Sequence, residues 1–155
     1  MQKLVKSAAL CLAAAGMVLS MPVQAAGGDK AEKLRRLDIM LMVTALRCRT
    51  SAFNFQPDFA AFEKAHLQEL NAAAGELRRG LMGEYGAAGA VRQLDRISTG
   101  MANQYGQGHP WLDCAQLQSA TRSLAAMRGP FVLEEAANQL LGEEGGGSQL
   151  ALARR

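Results

Sequence analysis

Cys48 and Cys114 are the only cysteines that follow an amino-terminal stretch with the form of a secretory signal, and together they constrain the fold more than any other feature. Lys3 and Lys6 lead into the apolar residues 8–19, and Pro22-Val23-Gln24-Ala25-Ala26 then offers small residues where a signal peptidase reads them. Val23 and Ala25 suit those positions better than Gln24 and Ala26, which places the expected cut after Ala25 and makes residues 1–25 the signal peptide. Cys11 lies inside the apolar stretch behind the bulky Leu10, which does not fit a lipoprotein anchor. A chain exported in this way works in an oxidising space, periplasmic or secreted, where its two remaining cysteines form one disulfide. Cys48 stands between Arg47 and Arg49, which would activate a free thiol. Neither cysteine belongs to a Cys-x-x-Cys pair, and a structural bridge is the expectation.

Removing 25 of 155 residues leaves 130, enough for one domain with a core but few enough that a cross-link counts. The full chain has 17 Lys and Arg against 14 Asp and Glu; without Lys3 and Lys6 the balance is 15 against 14, a net charge of +1. Near-neutrality removes the electrostatic basis for a nucleic-acid partner. The pairs Arg35-Arg36 and Arg78-Arg79 read as solvated helix faces. No second apolar run reaches the roughly 18 to 20 residues that a membrane span needs, so no transmembrane segment is expected.

Helical spacing dominates the rest. Leu34, Leu37, Leu41, Ala45 and Cys48 share one face between residues 30 and 50, while Ile39, Met42, Val43 and Leu46 make the opposite face apolar too, as in a central helix. A second helix is predicted after Pro57, with Phe59, Phe62, His66, Leu70, Ala73, Leu77 and Leu81 on one stripe and an end frayed by Gly80, Gly83 and Gly86. A third, over 88–105, is expected to bury Val91, Leu94, Ile97, Met101 and Tyr105. The fourth is predicted to start at Pro110 with Leu117, Ala120, Thr121 and Leu124 inward, up to the break at Gly129-Pro130. A short fifth helix offers Leu133, Ala136, Ala137, Leu140 and Leu141.

No segment has the alternation that strands require. The predicted fold is all-α, an up-down-up-down four-helix bundle plus a short fifth helix over residues 30–141, with a disordered glycine-rich tail over 142–155. That topology sets Cys48, at the end of an up helix, beside Cys114, at the start of a down helix, as a bridge demands.

Several groups are candidates for chemistry. Glu63 and His66 have the three-residue spacing of carboxylate metal sites in bundles, and with His109 and Asp113 they make a candidate mononuclear metal site. The competing reading is that His66 is a core histidine bonded to Glu63 or a backbone carbonyl. Met40 and Met42 have the spacing of copper(I)-binding methionine pairs, but residues two apart on a helix point in nearly opposite directions, so they read as core. The stretch from Asn103 to Trp111 is rich in amides and rings and contains the only tryptophan. It serves either as a packed corner, with Trp111 plugging the core beside Cys114, or as a ligand-binding face built from Arg47, Arg49, Asn103, Gln104, Tyr105, His109 and Trp111.

The runs Lys33-Leu34-Arg35-Arg36-Leu37-Asp38-Ile39-Met40-Leu41-Met42, Leu46-Arg47-Cys48-Arg49, Ala65-His66-Leu67 and Leu94-Asp95-Arg96-Ile97-Ser98, with the whole stretch from Met101 to Cys114, resemble a group of small exported alphaproteobacterial helical proteins. The resemblance covers about 100 residues and implies export and helicity, with no activity to carry over. Some similar chains bear the label S-adenosylhomocysteine hydrolase, but this chain has no strand followed by Gly-x-Gly-x-x-Gly and is too short for a dinucleotide domain plus a substrate domain. The expected function is therefore a periplasmic binding or interaction protein without catalysis or cofactor, whose partner is an envelope protein, peptide or glycan. The alternative is a small envelope enzyme, metal-dependent or not, acting on a glycan or peptide through Glu63, His66, His109 and Asp113.

Overall fold

The apolar stripe that ends in Cys48 forms α1 (Val23–Cys48), which begins earlier than the expected residue 30 and runs through Gly27 and Gly28 although glycine is a poor helix former. The structure is a computed structural model describing residues 23–142, with side chains from residue 28 onward. The expected signal segment before Val23 and the expected tail after Gly142 lie outside the described residues, and the expected cut at Ala25 falls in the first turn of α1.

The expected second and third helices form a single element, α2 (Gln56–Tyr105), with Pro57 in its first turn. Its backbone leaves helical geometry at His66 (φ −117°, ψ 15°) and at Gly86 (φ 64°, ψ 173°). The expected fraying at Gly80 and Gly83 is not found; both remain helical, and Gly86 alone makes the break by adopting a conformation essentially closed to other residues. There α2 folds back. Arg35 on α1 bonds the Ser98 hydroxyl at 3.3 Å, while Asp38, one turn on, lies within the field of Glu63. Glu63 and Ser98 would stand about 50 Å apart on a straight helix, so only a reversal between them brings both to one turn of α1.

Pro110 does not start the next helix. The loop continues to Asp113, whose carboxylate accepts from the Gln116 N–H at 2.8 Å while the Gln116 side chain accepts from the Asp113 N–H at 3.0 Å. This reciprocal cap opens α3 (Cys114–Ala126). The last helix, α4 (Val132–Leu141), buries all five residues of its predicted stripe. No strand occurs among the described residues.

The core gathers where α1 meets α2, α3 and α4. Leu34, Leu37, Met40 and Leu41 of α1, Phe55 and Phe62, Leu117 and Leu124, and Leu133 are all inaccessible to solvent or nearly so. Buried Thr44 and Thr121 donate their hydroxyls to the carbonyls of Met40 and Leu117, both at 2.7 Å, so their burial leaves no polar atom unpaired. Three expected core positions fail. Met42 and Leu46 remain exposed because the other helices cover only part of the far face of α1. Val91 is exposed while Ala90 beside it is fully buried, so Val91 lies on the outward face of α2.

Candidate functional site

The last residue of α1 and the first of α3 are joined by the Cys48–Cys114 disulfide, with Cα atoms 5.8 Å apart. The bridge fixes one end of the bundle. Between Tyr105 and Asp113 the chain rounds a corner whose node is His109. Its Nε2–H donates to the Leu140 carbonyl at 2.9 Å, and its Nδ1 accepts from the backbone N–H of Leu112 at 3.1 Å and of Trp111 at 3.4 Å. The ring also stacks on Tyr105 and meets the edge of Trp111 at a centroid distance of 4.7 Å.

These bonds require the neutral Nε2–H tautomer. Burial pushes the His109 pKa below its ordinary 6.5, partly opposed by the bond to Leu140, so the ring is neutral at pH 7. Trp111 does not plug the core beside Cys114. Its indole lies across the carboxyl end of α4, against Gly142, and remains 47% exposed.

The predicted ligand residues thus divide. Tyr105 is only 3% exposed and offers no free face for stacking. His109 has both ring nitrogens engaged in holding the corner. Arg47, Arg49, Asn103 and Gln104 are exposed. The Arg47 guanidinium donates to the Gly106 carbonyl at 3.3 Å, laying its side chain over the turn after α2, and Arg49 donates to the Leu46 carbonyl at 3.0 Å. Asn103 and Gln104 make no side-chain hydrogen bond among the described residues.

The candidate metal ligands are occupied otherwise. His66 is buried and points its Nε2–H at the Leu124 carbonyl, 2.9 Å away, which is the carbonyl partner expected of a core histidine. Glu69 rather than Glu63 approaches its other nitrogen, at 3.9 Å, while Glu63 is exposed. Asp113 caps α3. Among the described residues no three His, Cys, Asp or Glu side chains form a group that would hold a metal ion.

Two features escaped the sequence reading. The carboxyl end of α4 closes the corner through Leu140 and Gly142, a contact between segments about thirty residues apart that no local motif announces. The irregular backbone at His66 borders a shallow groove of about 410 Å³ between α2 and the chain after α3, lined by Lys64, Leu67, Glu69 and Arg128. The break at Gly129-Pro130 was the one visible signal for it.

Among the described residues no helix is long and apolar enough to cross a membrane. Compared with protein-family models, with curated proteins and with solved structures, the chain matches none.

Proposed function

We propose that this chain is an exported, non-catalytic binding or interaction protein of the periplasm or cell exterior, which takes an envelope protein, peptide or glycan at its disulfide end. The observation that carries this reading is the contrast within the corner: its frame is fully bonded while its rim is open. Tyr105 and His109 hold the frame, and the half-exposed Trp111 indole, the Asn103 and Gln104 amides and the Arg47 and Arg49 guanidinium groups form the rim. A face whose backbone is already ordered loses little entropy on binding, and ring, amide and guanidinium groups suit a hydroxyl-rich, peptide or anionic ligand.

The reading assumes the up-down-up-down order with α4 as a further short helix. It is supported by hydrogen-bonded pairs whose numbers rise together along parallel-running segments: Arg35 with Ser98 and Arg47 with the Gly106 carbonyl, then Gln118 with the Asn54 carbonyl and Arg122 with Asp58. The test is a photo-cross-linking residue placed at Gln104, compared with one at the exposed Glu76 on the side of α2. A discrete adduct from position 104 alone, lost when both cysteines become serine, is expected. Identical patterns from both positions would sink the proposal. With the captured partner in hand, Gln104→Ala is expected to weaken binding by about 1 to 3 kcal/mol without moving the melting temperature.

A further inference from the structure

At the opposite pole, α2 folds back at Gly86 and leaves a tip with an apolar front and a basic collar. Met82, Tyr85 and Val91 are 44%, 41% and 46% exposed. All three lie within five positions of Gly86, about 8 Å along the helix axis at roughly 1.5 Å per residue. Arg78, Arg79 and Arg92, all exposed, lie six to eight positions away, about 9 to 12 Å back. Helices that rest in a lipid interface bury their apolar face by about 5 to 10 Å and hold their cations at headgroup level, which is the order of this tip.

We infer that the reversal of α2, residues 78–92, docks on an anionic lipid surface, with Met82, Tyr85 and Val91 entering the interface and Arg78, Arg79 and Arg92 meeting phosphate groups. Charge selects this occupant over a second copy of the chain. Three arginines against Glu84 leave the tip at +2, so two tips would repel each other while an anionic surface attracts each one. Glu84 stands in the apolar front, its carboxylate beside the Tyr85 hydroxyl, and weakens the attraction. The docking is independent of the recognition proposed for the disulfide end, from which the tip is separated by the return arm of α2, about 26 Å from Gly86 to Asn103.

Flotation of the purified, disulfide-intact chain with vesicles tests this directly. Phosphatidylcholine vesicles containing phosphatidylglycerol are expected to carry about ten times more protein than phosphatidylcholine alone, with the excess lost at high salt. Arg78→Glu with Arg79→Glu is expected to abolish the excess, Met82→Ser with Tyr85→Ser to reduce it about tenfold, and Glu84→Gln to raise it about fivefold. These side chains are exposed, so melting temperatures are expected to hold. Trp111 is the only native tryptophan and reports the far pole: its emission is expected to stay constant, whereas a Tyr85→Trp variant shows a blue shift with anionic vesicles. Equal flotation with neutral vesicles, no flotation at all, a shift in Trp111 emission, or self-association that Met82→Ser removes without any lipid binding would each overturn the inference.

Discussion

The two poles of this bundle solve the problem of turning a chain in opposite ways. At the disulfide end four segments meet, and a covalent bridge, a capping box and three hydrogen bonds to one imidazole fix their relation. At the α2 reversal one glycine with a φ of 64° makes the turn, and Met82, Tyr85 and Val91 around it are exposed. Local order is concentrated at one pole and surface chemistry at the other. The difference teaches that burial alone does not mark the functional regions here: the ordered pole presents a rim of directional groups, and the sparse pole presents an apolar tip with a collar of charge.

The largest effect that would break the comparison is loss of the bridge. Its two cysteines are 66 positions apart, and on the chain-entropy account closing such a loop stabilises the fold by about 4 kcal/mol. Chemical denaturation of the Cys48→Ser, Cys114→Ser variant is expected to show a deficit near that size, and thiol titration of the unfolded, unreduced wild type is expected to find no reactive cysteine between residues 26 and 155. A deficit below about 1 kcal/mol would mean that the pole is held by its hydrogen bonds without need of the bridge.

A pair of glycine substitutions sharpens the contrast. Gly142 ends α4 at φ 69°, and a Cβ there would come within 2.6 Å of the Trp111 ring. Gly86 has open space for a Cβ but an even more restrictive backbone. Gly142→Ala is expected to cost about 2 to 3 kcal/mol and to shift Trp111 fluorescence, because backbone strain and displacement of the indole add. Gly86→Ala is expected to cost about 1 to 2 kcal/mol from strain alone and to leave Trp111 emission unchanged. Equal fluorescence changes would show that the two poles are mechanically coupled.

What could be read in advance follows the same division. The stripe of α4 was legible in full because Leu133, Ala136, Ala137, Leu140 and Leu141 recur at helical spacing and every one has a neighbour to pack on. The stripe of α2 was legible at Phe59, Phe62, His66 and Leu70 and fades at Leu77 and Leu81, because periodicity records which face is apolar but not how far the companion helices extend, while at Val91 the inward face is that of Ala90 instead. The start of α3 was misplaced through the weight given to Pro110, although Asp113 and Gln116 have the spacing of a capping box. At the candidate site, Arg47, Arg49, Asn103, Gln104 and Trp111 are all exposed, which overturns the expectation that Trp111 plugs the core beside Cys114. The enclosed roles of Tyr105 and His109 depend on the backbone of α4, and that contact has no signature in either segment.

The smallest expected effect is a titration that belongs to one pole only. Burial holds the folded-state pKa of His109 below its ordinary 6.5, so between those two values the unfolded chain binds the proton that the folded corner refuses. Stability from this group is therefore complete above pH 6.5 and is lost as pH falls from 6.5 through the folded value, with a slope of at most about 1.4 kcal/mol per pH unit. The loss ends once the folded imidazole also protonates, which requires Nδ1 to give up the N–H groups of Leu112 and Trp111. Asp38 contributes with the opposite sign, because burial raises its pKa against the pull of Arg35, so that its protonated form favours the fold and its share declines as pH rises above 3.8. Subtracting the pH profile of a His109→Gln variant isolates the histidine, since glutamine keeps a donor for Leu140 and does not titrate. The difference profile is expected to fall on acidification below pH 6.5, accompanied by a change in Trp111 fluorescence because the indole rests on the imidazole edge. A flat difference, or one without any tryptophan signal, would remove His109 as the node of the ordered pole and leave the disulfide and the Asp113 capping box to separate the two ends.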